Sequence, residues 1–128
     1  MSRWTAALTS PAGPIAAVSL EEVDVTWSSD LDGTVTDPTG QAVGSSLLVV
    51  QMAFPVSSGN PAAPAEPVTW FAAGWLLGGT GWGYVAQCLV GPGGGVVALT
   101  AGQAYDVWSK ITGTPESPAK YAGSQAVY

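Results

Sequence analysis

Glycine and proline punctuate this sequence so often that no apolar stretch is long enough to build a buried helix. There are 17 glycines and 10 prolines in 128 residues, and both disfavour helix interiors. The segments between them alternate apolar and polar residues at period two, the spacing of a half-buried strand. Val23, Val25 and Trp27 alternate with Glu22, Asp24, Thr26 and Ser28. Tyr105, Val107 and Ile111 alternate with Asp106, Trp108 and Lys110. The pattern predicts an all-β chain of about seven to nine short strands, arranged as an antiparallel β-sandwich.

Along the chain, residues 20–29 read as a strand, followed by an Asp32-Gly33 turn, a short return strand at Thr34–Thr36 and a Pro38-containing turn. Residues 45–54 form the most apolar strand, with Leu48, Val50, Met52 and Phe54 inward and Gln51 outward. Residues 55–67 hold four prolines, including Pro61 and Pro64, and predict a stiff loop that contacts something. Strands follow at 68–77, 82–90, Val96–Leu99, 104–111 and 119–128. Residues 1–20 are apolar and broken by Pro11 and Pro14. They read either as a kinked first strand or as an extended arm lying on a neighbouring subunit. The domain organisation is accordingly an N-terminal arm at 1–20 and a sandwich at 21–128.

Leu99, Gly102 and Tyr105 are spaced as in the E–F corner of immunoglobulin-like and fibronectin-like sandwiches, which this stretch resembles. There the tyrosine hydroxyl hydrogen-bonds back to the corner backbone. The resemblance implies an immunoglobulin-like sandwich, with Trp70 or Trp75 as the core tryptophan of its third strand. Six tryptophans are many for this length. Trp108 points outward by alternation, and Trp4 has no obvious core position. Exposed tryptophan is enriched at interfaces, so Trp4, Pro11, Pro14, Pro61, Pro64 and Trp108 are the candidate interface residues. For Trp4 and Trp108 the alternative is burial beneath a loop of the same chain.

Composition excludes several chemistries. The chain has no His, one Cys, three basic residues and a net charge of −6. A His-based catalytic triad has no base, zinc sites built on His or several Cys are impossible, and phosphate-backbone binding lacks its driving force. Asp30, Asp32 and Asp37 with Gly33 lack the spacing and closing Glu of a calcium loop. Gly91–Gly95 has neither the Lys nor the helix of a phosphate loop. No carboxylate pair stands out for glycosidic chemistry. The expectation is no enzyme, no cofactor and no metal. No apolar run reaches the ~18–20 residues of a membrane span, and no signal segment is evident, so a soluble product made in a cytoplasm is expected.

Four strings carry a wider resemblance: Val25–Leu31 (VTWSSDL), Met52-Ala53-Phe54, Ala86–Gly93 (AQCLVGPG), and Tyr105-Asp106-Val107-Trp108 followed by Ile111–Glu116 (ITGTPE). They resemble small virion proteins from the structural-gene region of tailed phages infecting actinobacteria, most closely in the last third of the chain. The resemblance implies a non-enzymatic virion component made in the host bacterial cytoplasm. A capsid decoration protein fits best, bound to the major capsid protein or another virion protein, self-associating in a symmetric particle, and touching neither nucleic acid nor membrane. The alternatives are a head–tail connector or tail component and, from another class, a carbohydrate-binding β-sandwich using Trp108 and Trp82 as stacking platforms.

Overall fold

The computed structural model describes residues 4–11, 13–29, 49–75, 83–112 and 119–128. Among them the chain is all-β, with strands β1 (Trp4–Ser10), β2 (Glu21–Ser29), β3 (Val49–Ala53), β4 (Phe71–Ala72), β5 (Gly74–Trp75), β6 (Gly83–Val90), β7 (Ala104–Thr112) and β8 (Ala119–Ala126). Two antiparallel sheets result, ordered β1-β2-β6-β5 and β4-β3-β7-β8. Lettered along the described strands, these orders read A-B-E-D and C′-C-F-G, which match the strand order of immunoglobulin-type sandwiches.

Inward residues of both sheets form one core. Trp27, Met52, Ile111, Val23, Val25, Val90 and Val107 are fully buried, as alternation requires of strands with one face covered. Among the described side chains the core tryptophan is Trp27 on β2; of the two expected, the Trp75 side chain lies outside the described residues. Trp70 lies before β4 with its ring half-buried. Trp27 Nε1–H donates to Ser109 Oγ at 2.9 Å, and Ser109 Oγ donates to the Gln51 carbonyl at 3.1 Å. This buried relay joins strands B and F, the two strands that antibody domains join by a disulfide.

The described part of the expected arm, residues 4–11 and 13–20, does not stand apart from the sandwich. β1 pairs with β2 from Trp4↔Ser29 to Ser10↔Asp24. Pro11 and Pro14 have no N–H with which to extend that ladder, and past the cis Ser10–Pro11 peptide the chain crosses to the other sheet. There Ile15 bridges Val127 in parallel, and Ala17 N–H donates to the Tyr128 carbonyl at 2.8 Å. The first strand therefore belongs to the sandwich, and residue 20 marks no domain boundary.

Two further expectations change. The segment 68–77 is not one strand: Phe71–Ala72 pairs with β3, and Gly74–Trp75 pairs with β6. The chain changes sheet at Ala73. Val96–Leu99 is not a strand either. Val96 N–H donates to the Leu89 carbonyl (2.8 Å) and Gly91 N–H to that of Val97 (2.9 Å), closing a turn on the end of β6. Gly91 has φ +123°, and a Cβ there would collide with the Ser19 carbonyl, so this close approach of two turns requires glycine. The return strand at Thr34–Thr36, the three aspartates of that region, Leu48 and Trp82 lie outside the described residues.

Candidate interaction surface

The corner expected at Leu99, Gly102 and Tyr105 is present, with its hydrogen bond reversed. Leu99 and Tyr105 are buried, and Gly102 adopts a positive φ of 83°. The Thr100 backbone N–H donates to the Tyr105 hydroxyl at 2.8 Å, so the hydroxyl accepts. The corner fixes where β7 starts and hence which of its residues face outward.

Those outward residues are Asp106, Trp108 and Lys110, and the chain's own Pro-rich segment lies over them. Asp106 Oδ2 accepts the Ser58 N–H at 3.2 Å and the Ala65 N–H at 2.8 Å. Trp108 Nε1–H donates to the Ala65 carbonyl at 2.9 Å. The Lys110 ammonium sits 4.5 Å from the centre of the Trp70 ring, within cation–π range. Residues 57–70 thus form a strap fastened at successive outward positions of one strand. Asp106, outward by alternation, is only 2% exposed. Trp108 points outward as alternation predicts. Its ring is half-buried by the strap and by Tyr121, at a centroid distance of 5.9 Å.

The strap is ordered internally. Ser58 Oγ donates to the Ala63 carbonyl at 2.8 Å. Asn60 Oδ1 accepts the Ala62 N–H at 3.0 Å, and the Asn60 carbonyl accepts the Ala63 N–H at 3.0 Å. Such Asn side-chain turns replace ladder bonds, and the prolines reduce the entropy lost on ordering. Pro61 is exposed at the tip, while Pro64 is half-buried beside the anchored Ala65. Of the remaining candidates, Pro11 is half-buried, Pro14 is exposed, and both border an open groove of about 510 Å³ between the β1–β2 connection and β8. Trp4 pairs with Ser29 through its backbone, and its indole lies outside the described residues.

Two clefts adjoin the strap. One, of about 270 Å³, lies between its tip and β8, with Asp106, Tyr121, Asn60 and Ser124 in its walls. Burial, and then the negative charge of Asp106, raise the Tyr121 hydroxyl pKa. The other, of about 320 Å³, is apolar and bounded by Phe54, Val56, Val68, Phe71 and Val97. Val68 is 92% exposed and Val56 55%. Val18, Leu20, Val96 and Tyr128 are also exposed, and all six residues lie at the end of the sandwich where β2 begins and β6 ends. Sequence reasoning missed this apolar end, although valines flanking a Pro-rich loop were its visible signal.

Reactive chemistry is poorly served. Burial pushes the Cys88 thiol up to about 11, which suppresses the thiolate that a nucleophile needs. Asp24 is raised chiefly by burial, opposed by a hydrogen bond with Gln87 and assisted by the charge of Glu22. Among the described residues no group of three potential metal ligands converges, and no helix is long and apolar enough to cross a membrane. No protein-family model matches the chain, and no curated protein or solved structure is significantly similar to it.

Proposed function

We propose that this chain is a non-enzymatic structural protein of a phage virion, a decoration protein that docks on the major capsid protein at the outside of the shell. The observation that carries the reading is the apolar end of the sandwich. Val18, Leu20, Val56, Val68, Val96 and Tyr128 are each exposed at that end, and an apolar surface of this kind favours a partner that covers it. The short-string resemblance to small virion proteins supplies the kind of partner. An ordered strap and a tightly fastened sandwich suit the role, because a preorganised surface loses little entropy on docking.

The test is the copy number of this chain in purified particles of the phage that encodes it, by quantitative mass spectrometry against the major capsid protein. Decoration predicts on the order of hundreds of copies, following the symmetry of the shell. About six or twelve copies would move the protein to the neck or tail, and absence from the particle would overturn the reading.

A further inference from the structure

The buried carboxylate of Asp106 faces no cation among the described residues. Its Oδ2 is held by the Ser58 and Ala65 amides, which direct the group without neutralising its charge. Lys110, four residues along the same strand, is engaged over Trp70. A buried carboxylate gains most from a partner of opposite charge when the surroundings exclude water. Beside it lies a cleft that already has the shape for one. The cleft holds about 270 Å³, and Asp106, Tyr121, Ser57, Asn60 and Ser124 are among the residues that line it.

We propose that this cleft is a receptor for one basic side chain, an arginine or lysine, presented by a partner protein. The guanidinium or ammonium group would pair with Asp106. The stem of the side chain would lie along the Tyr121 ring, whose face attracts cations, and Ser57, Asn60 and Ser124 would accept its remaining N–H groups. A chain of net charge −6 with three basic residues favours cationic partners in general. The cleft gives that preference an address. The proposal goes beyond the virion reading and does not depend on it, since any partner with an exposed basic side chain would serve.

The strap amides supply a specific reporter. Acetyl-arginine-methylamide is titrated into the full chain to about 0.1 M, because one side chain binds weakly on its own, and the ¹⁵N–¹H spectrum is followed. The expected result is saturable shifts of the Ser58, Ala65 and Tyr121 amides, with acetyl-glutamine-methylamide producing none. Asp106→Asn retains an oxygen to accept both amides and removes the charge, so its arginine response should fall at least tenfold. Ser124→Lys places a resident cation at the mouth of the cleft and should block the probe even if Asp106→Asn fails to fold. Absent shifts in the native chain, or undiminished shifts in either variant, overturn the proposal.

Discussion

On the first sheet the outward side chains of β1 and β2 are mainly Thr, Ala and acids, and they bond to one another. Thr9 Oγ lies 2.9 Å from Thr26 Oγ, and one oxygen of Asp24 is buried without a partner. On the second sheet the outward side chains of β7 are Asp106, Trp108 and Lys110, and each captures part of the segment 57–70. Both faces arise from the same period-two alternation, and the reach of the side chains separates them. Short hydroxyls satisfy each other within the sheet. A carboxylate, an indole and an ammonium on longer stems can hold a second layer of backbone.

This comparison can be broken by mutation. The largest effect belongs to neither face. Trp27→Ala empties the core and leaves Ser109 without its indole donor, so a loss of about 3–5 kcal/mol is expected by urea denaturation. A loss under about 1 kcal/mol would show that the two sheets are not tied there. On the strap-covered face, Asp106→Ala leaves two loop amides without an acceptor and should cost about 2–3 kcal/mol. Its control on the open face, Thr26→Ala, should stay within about 0.5 kcal/mol of the native chain. Equal losses would erase the distinction between the faces.

Tyr105→Phe should cost about 1 kcal/mol, less than a fully buried loss. Thr100 is exposed, so water can replace the hydroxyl as acceptor for its amide. An unchanged urea midpoint would mean that the corner hydrogen bond adds nothing. The smallest effect on the strap-covered face is Lys110→Met, which keeps the stem packing and removes the charge over Trp70. About 0.5–1 kcal/mol is expected, with a shift in tryptophan fluorescence. No shift would detach Lys110 from the strap.

The alternation in the sequence was enough to orient β2, β3 and β7, because one covered face forces period two. It placed Val23, Val25, Trp27, Val50, Met52, Tyr105 and Val107 inward, and all are buried. It did not show what covers the outward face. That depends on Ala65 lying where Asp106 and Trp108 can reach it, a long-range contact with no signal in either local pattern. The 55–67 loop was legible as stiff and in contact with something, and that contact proved to be the chain itself. The crossing of residues 11–17 from one sheet to the other was hidden for a similar reason. Pro11 and Pro14 announce a break in the ladder without saying which strand is met next. Leu99, Gly102 and Tyr105 were legible because a corner is a local motif, and only the direction of its hydrogen bond had to be read from the structure.

The account rests on the strap being fastened to β7 through Asp106, and amide hydrogen exchange at Ala65 tests this most directly. In the native chain the Ala65 amide, held at 2.8 Å by Oδ2 of a nearly fully buried carboxylate, should exchange orders of magnitude more slowly than an unstructured peptide. That protection should vanish in Asp106→Ala while the amides of β2 and β6 keep theirs. An Ala65 amide that exchanges in the native chain at the rate of a free peptide would contradict the account.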